Sequence, residues 1–136
     1  MSSTSKIIVF EGLKDSGKTS MAKRLSERLN DINNKIIHSV KDVRADDTWN
    51  KVFIYDGLTD PSELDEINKK WKNPIFAHVI RLYLVEGEDH QPVWKPILRE
   101  TPYITKKAIT LVNYDHSLSD FLDHVVNDCL EELDVQ

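Results

Sequence analysis

The chain has 136 residues, with 18 Lys and Arg against 23 Asp and Glu, and so a formal net charge of −5. That length fits one domain spanning 1–136, and it can bury a core without help from a disulfide or a metal. Apolar residues at 40% and charged residues at 30% exclude a disordered chain, the acidic balance argues against a nucleic-acid partner, and a lone Cys129 excludes an internal disulfide and a cysteine-rich zinc site.

Ile7-Ile8-Val9-Phe10 is a continuous β-branched and aromatic run, the pattern of a strand buried on both faces. It stops at Gly12, and a helix pattern opens near Gly17. Met21, Leu25 and Leu29 recur every four residues, with Lys23, Arg24, Glu27 and Arg28 between them. Residues 30–34 close that helix with turn chemistry. A second strand begins at Ile36-Ile37 and ends around Ser39 or Val40, followed by a charged connection, Lys41-Asp42-Val43-Arg44. Val52-Phe53-Ile54-Tyr55 is a third strand, stopping at Asp56-Gly57.

Asp60-Pro61-Ser62-Glu63 opens a second helix, with Leu64, Ile67 and Trp71 on its apolar face and Asn73-Pro74 as its end. Residues 79–85 read as a fourth strand with Arg81 its one charge. A long connection follows, and Pro92, Pro96 and Pro102 exclude a long helix from it. Residues 108–112 form a fifth strand. Asn113-Tyr114-Asp115 then turns into a last helix, with Ser117 or Ser119 as its cap and Cys129 packed in its apolar stripe. Such alternation predicts an α/β three-layer sandwich: a mainly parallel five-stranded sheet with helices on both faces.

No run approaches the roughly 18–20 apolar residues of a membrane span, so no membrane partner is expected. Residues 1–6 are polar and lack the apolar stretch of a signal peptide, and the expected location is the reducing cytoplasm.

Chemistry concentrates in Gly12-Leu13-Lys14-Asp15-Ser16-Gly17-Lys18-Thr19, which fits G-x-x-x-x-G-K-[ST] at every fixed position. The run lies directly after a buried strand and directly before an amphipathic helix, where a P-loop NTPase fold requires it. Glycines let successive backbone N–H groups turn toward a phosphate, and the helix opening near Gly17 adds its positive end. Gly12 through Thr19, with Ser20 behind them, are therefore the candidate binding residues for ATP. Lys18 can reach the β- and γ-phosphates, and Thr19 offers a hydroxyl to Mg²⁺. Asp56 ends an apolar strand and in a parallel sheet emerges at the same edge, as a second Mg²⁺ group or as the group that orients an attacking hydroxyl. The plainer reading, which the strand-end placement outweighs, is half of a turn dipeptide. Glu11 is a further candidate carboxylate, or a strand-end residue bonded to the loop.

Ile7-Ile8-Val9-Phe10-Glu11-Gly12-Leu13 followed by Ser16-Gly17-Lys18-Thr19 resembles the opening of thymidylate kinases, in which an apolar strand leads into Glu-Gly-Leu-Asp-Gly-Ser-Gly-Lys-Thr. The likeness is close over residues 7–30 and a matter of element pattern over the rest. It implies ATP-dependent phosphoryl transfer to a nucleoside or nucleoside monophosphate, with Lys18, Asp56 and Glu11 as catalytic residues. It also implies an acceptor-phosphate site after the second strand, near Lys41 and Arg44, a segment that by itself reads as a solvated charged loop.

The departures are specific. Lys14-Asp15 replaces the family's Asp-Gly, and Asp56-Gly57 replaces its Asp-Arg. Residues 41–51 are too few for the helices that wall the family's acceptor pocket. Arg99 is the only arginine between the fourth and fifth strands, with Lys95, Lys106 and Lys107 nearby. An arginine supplied to a moving phosphoryl group changes rates by about 10³–10⁵, so its loss matters. A non-catalytic nucleotide-binding module and a small ATPase are the alternatives, and a homodimer or a protein partner is compatible with either.

Overall fold

Strand β1 (Lys6–Glu11) forms the middle of the molecule because Ile7, Ile8, Val9 and Phe10 all require burial, two on each face. The computed structural model describes residues 5–12, 17–44, 51–58, 60–96, 108–114 and 118–134. Within them follow α1 (Lys18–Arg28), β2 (Asn34–Ile37), β3 (Val52–Asp56), α2 (Pro61–Lys70), β4 (Ile75–Glu86), β5 (Pro92–Pro96), β6 (Ala108–Tyr114) and α3 (Leu118–Leu133). No helix among the described residues is long and apolar enough to cross a membrane.

The strands make one sheet in the order β2-β3-β1-β4, with β6 also on β4, and all five of these run parallel. One core layer joins Ile8, Phe10 and Ile54 to Met21 and Leu25 of α1 and to Val126, Cys129 and Leu133 of α3. The other joins Ile7, Val9, Phe53 and Tyr55 to Ile67 of α2 and to Trp71 just beyond it. Helices α1 and α3 therefore cover one face and α2 the other. This is the three-layer α/β sandwich that the alternation predicts. Trp71 packs edge-on to Phe53, with ring centroids 5.6 Å apart, and its indole N–H donates to Ser5 Oγ at 3.2 Å. Lys6 Nζ donates to the Leu133 carbonyl at 2.5 Å, meeting the negative end of α3.

The strand count needs correction. The sheet has six strands, because Pro92–Pro96, expected as irregular connection, pairs antiparallel with Leu82–Glu86 of β4. Its prolines occupy the first and last positions of the strand, where a missing N–H is best tolerated. Other boundaries move by a few residues. β4 starts at Ile75, directly after Pro74, and β6 runs on through Asn113 and Tyr114. α2 ends at Lys70, ahead of Asn73-Pro74. β2 ends at Ile37 because the backbone N–H groups of His38 and Ser39 donate to Asp42 Oδ2, drawing the chain into a 3₁₀ turn over Val40–Asp42. Ser119 lies inside the first turn of α3 rather than at its cap, and Ser117 lies outside the described residues.

The register also places β5. Phe76, Ala77 and His78 pair with both β1 and β6, whereas Leu82 pairs with both β6 and β5. A strand has two edges, so β5 occupies the edge of β4 that β1 uses, beyond the carboxyl end of β1.

Cys129 is packed in the α1–α3 layer, and burial, reinforced by Asp128 and Glu132, pushes its thiol up to about 12. The unfolded chain ionises this thiol near pH 9, the folded chain only near 12, so unfolding gains a proton release that folding lacks across that window. Chemical denaturation at a series of pH values should show stability falling from pH 9 towards 12. In Cys129→Ala the fall over this window should be shallower, leaving the part due to Tyr55, whose phenol burial and Glu63 also raise.

Candidate functional site

At the carboxyl edge of the sheet, β1 hands over to the glycine-rich loop at Gly12, which has a φ of 148°. Leu13, Lys14, Asp15 and Ser16 lie outside the described residues. The chain returns at Gly17, φ 107°, which caps α1 without any side-chain hydrogen bond. The first intrahelical bond runs from the Met21 N–H to the Gly17 carbonyl at 2.9 Å, so the amides of Lys18, Thr19 and Ser20 precede any acceptor within the helix. No acidic residue stands in that first turn to compete for them. A left-handed glycine cap followed by uncapped amides leaves the positive end of the helix open to an anion.

Beside it, β3 pairs with β1 so that Phe10 faces Asp56. Strand alternation puts Asp56 on the α1 face, continuing the row of Val52 and Ile54. There Thr19 Oγ1 donates to Asp56 Oδ2 at 2.9 Å. Asp56 is only 8% exposed, and its Oδ1 is buried with no hydrogen-bond partner among the described residues. A hydroxyl and a carboxylate already in contact, with one buried carboxylate oxygen left over, suit a hard divalent cation such as Mg²⁺ with its shell of waters. The expected meeting of Lys18, Thr19 and Asp56 at one edge is what the structure shows.

The location is also the topological switch point of the sheet. The connection after β1 leaves over the α1 face, and the connection after β3 leaves over the α2 face. Open α/β sheets bind ligands in the crevice that such a divergence creates.

Gly57, which replaces the arginine of the resembling family, has a structural role of its own. Its φ is +87°, and a Cβ there would stand 3.4 Å from Lys18 Cε. The N–H groups of Gly57 and Leu58 both donate to the Phe10 carbonyl, at 3.0 and 3.2 Å. The turn after Asp56 is thus folded down onto the end of β1, and the stem of Lys18 crosses it. A side chain at 57 meets both a disfavoured backbone conformation and the lysine.

Glu11 is placed differently from Asp56. It continues the row of Ile7 and Val9, so it points to the α2 face, away from Thr19. It is 1% exposed, and its Oε1 lies 3.3 Å from His78 Nδ1 of β4. The sequence alone assigns His78 no neighbour; its signal is a lone polar residue inside the apolar run Ile75-Phe76-Ala77-His78-Val79-Ile80.

On the acceptor side expected from the resemblance, Lys41 and Arg44 are exposed on a segment that is more fixed than a free loop. Glu63 Oε1 accepts from the Val40 N–H at 2.7 Å and from the Tyr55 hydroxyl at 2.9 Å, tying the 3₁₀ turn to α2 and β3. Arg99 lies outside the described residues.

Two solved structures share the architecture over nearly the whole chain. A sugar kinase from Janibacter sp. HTCC2649, in an unliganded structure, superposes with a TM-score of 0.53 at 13% identity, covering 96% of this chain and 95% of that one. A gluconokinase from Sinorhizobium meliloti 1021 superposes with a TM-score of 0.52 at 12% identity, covering 98% of this chain and 96% of that one. At such identity the likeness shows the fold. No family model matches the chain, and neither does any curated protein. Thymidylate kinase therefore stays a resemblance carried by residues 7–30.

The packing at Gly57 makes a testable claim. Gly57→Ala should cost about 1 kcal/mol or more in stability from the positive φ alone. Because the added Cβ makes only ordinary contact with the Lys18 stem, affinity for nucleotide should change little. Calorimetric titration with an ATP analogue, beside urea unfolding of the same variant, reads both quantities. A large loss of affinity would show that the backbone of this turn holds Lys18 in place.

Proposed function

We propose that the chain transfers the terminal phosphoryl group of ATP, with Mg²⁺, to a nucleoside or nucleoside monophosphate. The observation that carries the reading is the hydrogen bond from Thr19 to Asp56, made across the end of β1 where the glycine loop begins. A fold of this type can bind many ligands, but a hydroxyl in the first turn of α1 bonded to a β3 carboxylate beside a lysine suits a metal-bound polyphosphate.

In this reading the amides of residues 17–20 bind phosphate oxygens and Lys18 spans the β- and γ-phosphates. Thr19 and Asp56 hold Mg²⁺ directly or through its waters. When bound, the metal neutralises charge that develops on the transferring group. Asp56 and Glu11 are the two carboxylates able to orient an acceptor hydroxyl, from opposite faces of the sheet edge. Lys41 and Arg44 supply positive charge on the side of α2, for an acceptor phosphate. Phosphoryl transfer depends mainly on positioning and on such charge.

A sugar-type acceptor is the second reading, and a specific observation favours it. Two of the superposable structures are a sugar kinase and a gluconokinase, and Gly57 stands where the resembling family has the arginine expected beside a nucleotide acceptor.

The deciding experiment is ADP release from Mg-ATP, alone, with a pool of nucleosides and nucleoside monophosphates, and with a pool of sugars and sugar acids. Release that requires the first pool supports the proposal, and release that requires the second moves the acceptor to the sugar class. Release with neither pool indicates an ATPase. Lys18→Ala should lower transfer by at least about 10²-fold, as removal of a preorganised transition-state contact does. Chelation of Mg²⁺ by EDTA should abolish it. A wild type no faster than Lys18→Ala under every condition leaves nucleotide binding without catalysis.

A further inference from the structure

Two ionisable side chains, Glu11 and His78, lie buried at the edge of the site, on the face away from Thr19 and Asp56. Glu11 is the last residue of β1, one step before Gly12, and His78 stands directly across from it in the β1–β4 register. Both are almost fully shielded from solvent, and His78 Nδ1 is 3.3 Å from Glu11 Oε1. A carboxylate withdrawn from water is costly unless a partner meets it, and the same holds for a histidine among apolar neighbours. Phe76, Ala77 and Val79 around His78 are core residues, so an aliphatic side chain would satisfy packing at 78 as well. The pair therefore has a reason other than filling space.

Its position suggests the reason. Thr19 and Asp56 occupy the α1 side of the carboxyl edge, and Glu11 and His78 the α2 side. Of the two carboxylates proposed above to orient an acceptor hydroxyl, Glu11 is the one on the α2 side of the edge. From this we infer that His78 is a positioning residue: it holds the Glu11 carboxylate in the orientation that meets the acceptor, and acts on transfer only through Glu11. The inference rests on the phosphoryl-transfer reading above.

The test is steady-state transfer to whichever acceptor the pools identify, together with titration of a non-hydrolysable ATP analogue, on the full chain. The variants are His78→Leu, His78→Gln, Glu11→Gln and the double variant His78→Leu/Glu11→Gln. His78→Leu should lower kcat with the acceptor by up to about a hundredfold, the scale of a misplaced reacting group, while analogue affinity stays within about twofold. His78→Gln, which keeps a hydrogen-bonding group at the same depth, should restore most of the rate. Because the two residues act as one unit, the double variant should be no slower than Glu11→Gln alone.

Multiplying effects of the two single variants, an equal loss of analogue affinity, or an unaltered rate in His78→Leu would each overturn the inference while leaving phosphoryl transfer intact. A wild type that binds the analogue and transfers to no acceptor overturns the phosphoryl-transfer reading and this inference with it. Should His78→Leu fail to fold, His78→Asn takes its place in the cycle, since its amide is too short to reach Glu11.

Discussion

Four consecutive residues of β1 have no solvent-exposed position to occupy, and this constraint organises the site. Ile7 and Val9 are claimed by the α2 layer, Ile8 and Phe10 by the α1–α3 layer, and β3 and β4 close both edges of the strand. The strand can neither slip nor rotate, because a one-residue shift would exchange every side chain between layers. Whatever stands at its carboxyl end is thereby fixed in both height and direction. Gly12 leaves the sheet at one level, the turn after Asp56 is bonded back to the Phe10 carbonyl at that level, and α1 begins beside them. The polar chemistry of the site is held in place by apolar burial a few ångströms below it.

The same alternation separates the two carboxylates. Counting along β1 and β3 from their apolar rows puts Asp56 over α1, where Thr19 meets it, and Glu11 over α2, where His78 meets it. Two buried acids on one face would repel each other and raise each other's pKa. On opposite faces each has its own neighbour, a hydroxyl that donates to Asp56 in one case and an imidazole nitrogen 3.3 Å from Glu11 in the other. An acid with a bonded oxygen and a second buried oxygen suits a cation.

Much of this was legible in the sequence because it depends on local pattern. The apolar run, the G-x-x-x-x-G-K-[ST] spacing and the four-residue repeat of α1 each act within a dozen residues, and they placed β1, α1 and the strand that ends at Asp56. What stayed hidden depends on pairing between distant segments. His78 had significance only once the β1–β4 register set it opposite Glu11, a separation no periodicity reports. Gly57 read as a departure from a family pattern, and its purpose became visible with the lysine stem packed 3.4 Å from its missing side chain. Pro92–Pro96 read as connection because prolines dominate local propensity, and its strand character comes from the partner that β4 offers.

That partner also bears on the space above the site. β4 outruns β1 by eight residues, and its free edge beyond His78 is taken up again by β5 at Leu82. At about 3.3 Å per residue, the interval from His78 to Leu82 is roughly 13 Å. Among the described residues it holds no strand, and it opens at the level where Gly12 carries the chain out of the sheet. A parallel sheet normally places its ligands outside the strand ends, with walls formed by loops. Here one wall is an antiparallel strand whose height is set by the covalent length of β4. The dimension of the opening is therefore coupled to the register that fixes Glu11 and His78. A one-residue change in the length of β4 between His78 and Leu82 would move β5 by a full strand step and invert its faces, while leaving the Thr19–Asp56 pair untouched. The surroundings of Glu11 and His78 and those of Thr19 and Asp56 are thus built on separate parts of the sheet, and one can change without the other.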